Sequence, residues 1–241
     1  MLEAALWGFV ASSALLIGAA IGIWADIPRR IVALVMGFGA GALISALAFD
    51  LTEEAFALGG TGPTALGLAA GGLTFFVGDL LLERAAARQG ADDRRSGGAG
   101  LAIVLGALLD GLPESIVLGA SLLGGTGVSA SFLAAVFASN LPEGLAGARD
   151  LRDGGRRPAW ILGLWLAVVV ASSVAAGLGF GLLGDMAAGP AAIVQAFAAG
   201  AILATLADSL MPEAFEHGGI GVGLATVFGF SFAFFLSTRP V

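Results

Sequence analysis

Eight apolar runs, each close to the thickness of a bilayer, divide this chain: residues 4–24, 31–51, 63–83, 100–122, 129–148, 158–181, 188–210 and 219–238. About 20 apolar residues cross a hydrocarbon core as a helix. Backbone in lipid must satisfy its own hydrogen bonds, which leaves helices or closed barrels. The expectation is an all-α membrane protein of eight transmembrane helices, with residues 1–241 as a single domain. Of the 241 residues 58% are hydrophobic and 12% charged, about half the charge of a soluble domain. The first run begins almost at Met1 without a basic leader, so it is read as a retained helix rather than a cleaved signal.

Charge placement sets an expected orientation. The net charge is −7, and all 11 cationic side chains are arginine. Arg29 and Arg30 follow run 1, Arg84, Arg88, Arg94 and Arg95 follow run 3, and Arg149, Arg152, Arg156 and Arg157 follow run 5. In an eight-span arrangement those loops share one side, the cytoplasmic side by the positive-inside rule. Only Arg239 departs from it. Both termini are then extracytoplasmic in a multi-pass protein of the cell membrane. Trp24 and Trp160 fall at the inner boundary and Trp7 near the outer one. The loop at 84–99, with Asp92, Asp93, Arg94 and Arg95, reads as short, polar and mobile.

Several function classes fall away. No basic patch fits nucleic acid, and no Gly-rich phosphate cradle fits ATP. No covalent chemistry is called for, so neither enzyme activity nor a bound cofactor is expected. The chain lacks cysteine and has one histidine, His217. Any metal site must therefore be built mainly from oxygen ligands. The 39 glycines permit close helix approach and are compatible with a homodimer.

An internal repeat adds topology. Residues 38–60 (FGAGALISALAFDLTEEAFALGG) and 197–219 (FAAGAILATLADSLMPEAFEHGG) align without gaps at 12 of 23 identities. Val10-Ala11-Ser12-Ser13 likewise matches Val170-Ala171-Ser172-Ser173. Spans 1–3 thus recur as spans 6–8. Five spans separate equivalents, and five is odd, so the second copy runs inverted. Inverted repeats are typical of secondary transporters, with the substrate site at the midplane.

Spans 4 and 5 lie between the copies and carry the chemistry. Asp110-Gly111-Leu112-Pro113-Glu114 sits in one, and Ser139-Asn140-Leu141-Pro142-Glu143 in the next. Carboxylates at bilayer depth are costly and mark ion or substrate paths. Asp110 and Glu114 share a helix face, as do Ser139, Asn140 and Glu143. Pro113 and Pro142 free the carbonyls of Leu109 and Ala138, which must find other partners. A single motif of this kind reads equally well as a kink beside a protonated acid. Two on adjacent helices favour a cation site, because paired carboxylates repel unless a cation or protons intervene. Asp50 and Glu54 close span 2 on the expected outer side, four residues apart on one face, and Asp208, Glu213 and His217 close span 7 on the inner side. These are candidate approach and release points. Glu53 and Glu216 read as interfacial charge, and Asp79 and Asp185 as structural.

At these residues the chain resembles the ZIP (Zrt/Irt-like protein) family of divalent-metal transporters. The resemblance rests on the two Pro-Glu motifs, on Asp50-Leu51-Thr52-Glu53-Glu54-Ala55 and on Asp208-Ser209-Leu210-Met211-Pro212-Glu213-Ala214. It implies eight spans, both termini outside, and transport of zinc or a related divalent ion (Mn²⁺, Fe²⁺, Cd²⁺) into the cytoplasm. It further implies a first metal site of Asp110, Glu114, Ser139 and Glu143, and an adjoining one of Glu114, Asn140 and Glu143. Asp208 and Glu213 would lie on the release path, with Asp50 near the outer end. Spans 1, 4, 5 and 6 would move against spans 2, 3, 7 and 8. The chain departs from the family pattern at Asp110, where a histidine is usual, and at Gly111, where asparagine is usual. It also lacks an acid in mid-span 6 and the histidine-rich loop. One site is therefore expected rather than two. The alternatives are a metal-binding membrane sensor without transport and a proton-coupled carrier of another small solute.

Overall fold

The computed structural model describes residues 1–88, 99–124 and 127–238, and every regular element among them is helical. In chain order these are α1 (Leu2–Trp24), α2 (Arg29–Gly59), α3 (Thr61–Arg88), α4 (Ala99–Ser121), α5 (Ala130–Asp153), α6 (Pro158–Gly184), α7 (Ala188–Gly218) and α8 (Gly221–Ser237). They coincide closely with the eight apolar runs. Among the described residues, α1, α2, α6, α7 and residues Thr61–Leu82 of α3 are long and apolar enough to cross a membrane. The chain is thus a helical bundle of the membrane-spanning kind. Most of the expected polar loop at 84–99, including Asp92, Asp93, Arg94 and Arg95, lies outside the described residues, as does Arg239.

α2 and α7 are longer than their apolar runs because each continues through a wide turn into a polar last segment. Leu47–Thr52 and Leu206–Leu210 are π-helical. Short α-helical ends follow, Glu53–Gly59 and Met211–Gly218. Both helices stop at a glycine with positive φ, Gly60 at 72° and Gly219 at 63°, a conformation that other residues adopt only with strain. These elements occupy matching positions of the two repeated sequences.

Packing divides the helices into two sets. α1, α4, α5 and α6 pack on one another, as do α2, α3, α7 and α8, and the sets meet chiefly along α2–α5 and α4–α7. Within each set the tight pairs are parallel and held by bare backbone. A Cβ on Gly41 of α2 would strike the Thr226 carbonyl of α8, and one on Gly229 would strike Phe38. The α7–α3 pair repeats this with Gly200 against Leu68 and Gly71 against Phe197. In the other set, Gly18 meets Leu141 and Gly144 meets Leu15 between α1 and α5. Gly179 meets Ile116 and Gly119 meets Ala176 between α6 and α4. Such approaches maximise dispersion where lipid removes any hydrophobic drive between helices.

The end of the bundle bearing Arg29, Arg149 and Arg152 is tied down by arginine side chains. Arg149 donates to the Ile27 carbonyl at 2.9 Å, and Arg152 to that of Ile23 at 3.3 Å and to Asp26 at 3.2 Å. These bonds hold the α1–α2 connection against the last turns of α5. Toward the opposite end, the junction between the two sets is filled by apolar side chains including Leu47, Leu118, Phe132, Val136 and Leu206.

Candidate functional site

The arginine-bearing half of that junction is not filled. A cleft of about 220 Å³ enters it, lined by Asp110, Glu143 and Glu213 together with Gly106, Ser209 and Trp165. A second opening of about 170 Å³ holds Arg29, Arg149 and His217. The two share Met36, Ala146, Asp150 and Glu213, so they form one passage from mid-bundle to the arginine-bearing end. Carboxylates from three helices, α4, α5 and α7, face it.

Their placement follows from local structure. Pro113 and Pro142 lie inside α4 and α5. Pro142 is buried, and the Ala138 carbonyl, whose helical donor Pro142 removes, abuts Gly39 of α2 beside Ser139. Asp110 accepts a hydrogen bond from Thr205 Oγ1 at 3.1 Å, which joins α4 to α7. Glu114 is 5% exposed and lines neither opening. Asp110, Glu114 and Glu213 all lie within electrostatic range of Glu143. Asp110, Glu114 and Glu143 thus sit in one low-dielectric region with the exposed Glu213 beside it, and no cationic side chain is bonded to any of the four among the described residues, an arrangement that favours any cation reaching it.

The other expected ligands are engaged elsewhere. Ser139 Oγ donates to its own helix at the Val136 carbonyl, 3.0 Å away. Asn140 Nδ2 points across α1 to the Ala11 carbonyl at 3.5 Å. Both retain an oxygen lone pair, but neither lines the passage. Among the described residues no three Asp, Glu or His side chains converge into a metal cage.

Of the expected path residues, Glu213 and His217 line the passage, and His217 Nδ1 lies 3.1 Å from the Glu213 carbonyl. Asp208 is exposed and lines neither opening. Asp50 and Glu54 lie at the opposite end with separate partners. Asp50 Oδ2 accepts from Ser131 Oγ, and Ser129 Oγ lies 3.3 Å from the same oxygen. Glu54 lies beside the buried Gln195.

Thr205, Asp150, Met36, Ser129 and Ser131 were not singled out by sequence. Nothing in the spacing of Thr205 or Met36 marks them, and only contact across helices distinguishes them. Asp150 was hidden among the arginines that follow span 5.

No protein-family model matches this chain, and no curated protein matches it either. The class that fold and site define is therefore the structural one: a helical membrane-type bundle with an acidic passage entering from one end.

Proposed function

We propose that this chain is a membrane carrier that moves divalent metal cations into the cytoplasm, built on the plan of the ZIP family. The observation that carries the reading is the passage itself: Asp110, Glu143 and Glu213 face a cleft that reaches mid-bundle from the end rich in arginine. By the positive-inside rule that end is cytoplasmic, which puts both termini of the eight-span arrangement outside. The matching π-turns, the paired positive-φ glycines and the matching α2–α8 and α7–α3 crossings support an inverted repeat of spans 1–3 and 6–8 around spans 4 and 5.

In this reading the cargo binds between Glu114 and Glu143, with Asp110 completing the site and Ser139 and Asn140 able to turn an oxygen toward it. It leaves past Glu213 and His217. A carrier needs a state in which its ligands are spread so that the ion departs, and the open passage has that form. α6 faces the cleft with Trp165, whose indole offers only a donor, which favours one site over two. Oxygen ligands suit Mn²⁺ or Mg²⁺ as well as Zn²⁺, so the ion is ranked by experiment. Uptake of Zn²⁺, Mn²⁺, Fe²⁺, Cd²⁺ and Mg²⁺ by proteoliposomes is expected to exceed that of empty vesicles for at least one transition metal. No flux of any of them by folded protein refutes the carrier, and metal binding without flux would point to a sensor.

Carboxylates ligate only when deprotonated. Apparent affinity is therefore expected to fall as the pH is lowered and to recover on return. A flat profile across the acidic range rules out direct ligation by these acids.

A further inference from the structure

We propose that the bundle carries a polar latch at one end only, so that its resting state is the one open at the arginine-bearing end. The inference rests on the carrier reading for its meaning, but its geometry stands alone. The latch is Asp50 on α2 with Ser131 and Ser129 at the start of α5, and it ties the two helix sets together. Ser131 Oγ donates to Asp50 Oδ2, and Ser129 Oγ sits 3.0 Å from Ser131 Oγ and 3.3 Å from the same carboxylate oxygen. Ser129 is itself fixed. Its side chain caps α5 by accepting from Phe132 N at 3.2 Å, and its own N–H donates to Ser121 Oγ of α4 at 3.3 Å. Beneath this network lies the apolar fill of Leu47, Leu118, Phe132 and Val136.

The equivalent positions at the other end can be read from the crossings. Gly41 of α2 corresponds to Gly200 of α7, which takes Asp50 to Ser209. Leu141 and Gly144 of α5, packed on α1, correspond to Ile116 and Gly119 of α4, packed on α6, which takes Ser131 to Gly106. Ser209 and Gly106 both line the open passage. Glycine has no side chain to donate, so this end has no counterpart of the Ser131 bond. A Cβ on Gly106 would meet nothing within 4 Å, so the position has room for one. The Asp110–Thr205 bond also joins the two sets, but it is already made with the passage open, so closing that end gains nothing from it. Closure at one end thus gains a hydroxyl–carboxylate network that closure at the other lacks, and a two-state element is biased by that difference.

The absence of cysteine makes the bias measurable. Single cysteines are placed at Ala135, fully buried one turn inside Ser131, and at Ala146, in the passage. Their alkylation by a charged thiol reagent is followed on the full chain in lipid nanodiscs, where both faces are accessible. Ala146→Cys is expected to react readily and Ala135→Cys slowly. Adding Ser131→Ala, or Asp50→Leu, which is near-isosteric and accepts no hydrogen bond, should the first fold poorly, is expected to speed Ala135→Cys about tenfold, the scale of one hydrogen bond to a charged group. Adding Gly106→Ser with Ser209→Asp, which transplants the latch, is expected to slow Ala146→Cys by a similar factor. Unchanged rates in folded variants overturn the latch. Metal uptake is read separately: shifted labelling without any flux sinks the carrier and leaves the latch, while flux with unmoved labelling sinks the latch alone.

Discussion

Metal uptake is expected to vanish in Glu143→Ala while the amount of folded protein is unchanged. Glu143 is the acid that faces the passage and also lies within electrostatic range of Asp110, Glu114 and Glu213. Loss of a group that merely supports a ligand costs roughly 10- to 100-fold in metal affinity or activity, so loss of a ligand should exceed that range. Removing a half-buried carboxylate from a cluster of like charges also relieves repulsion. The variant should therefore be at least as thermally stable as the parent, and that distinguishes a site residue from a structural one. Glu114→Ala/Glu143→Ala should behave alike. Near-normal uptake by Glu143→Ala removes the site assignment.

The second large effect concerns stability. Gly41→Ala places a methyl group on the Thr226 carbonyl of α8, a collision with backbone and not with a movable side chain. Overpacking a filled core typically costs about 1–3 kcal/mol, and backbone contact puts this substitution at or above the top of that range. The α2–α8 pair should separate, seen as a fall in melting temperature and loss of the monodisperse peak in detergent. Gly223→Ala is the control. It lies on α8 too, with nothing within 4 Å of the added methyl, and should match or slightly exceed the parent because alanine favours helix. Equal stability of the two variants contradicts the crossing.

Helix number and limits were legible because each apolar run is long and its ends carry arginine, glycine or proline. The acids that matter were legible because lipid makes a mid-run carboxylate conspicuous, and Asp110, Glu143, Glu213 and His217 do line one passage. Partners were harder to read than positions. Asp50 and Glu54, four apart, lie within electrostatic range of each other, yet Asp50 meets Ser131 of α5 and Glu54 lies beside Gln195 of α7. The sequence also pairs Asp110-to-Glu114 with Ser139-to-Glu143, whereas the glycine crossings make Glu114 the counterpart of Ser139. Ser139 and Asn140 share the helix with Glu143 but bond to Val136 and Ala11, which no periodicity foretells. The latch was illegible for a related reason: serines near a helix start read as ordinary caps.

The glycine crossings also have a mechanical consequence. Where two helices touch main chain to main chain, neither can slide past the other without driving a carbonyl oxygen into an α-carbon. α2 with α8 and α3 with α7 therefore behave as double-width staves, as do α1 with α5 and α4 with α6. A barrel of such staves can yield only at the seams between them. The seams that join the two sets, α2 against α5 and α4 against α7, are crossed by the Asp50–Ser131 and Asp110–Thr205 bonds. A movement of one set against the other is thus channelled to the lines where polar side chains already stand.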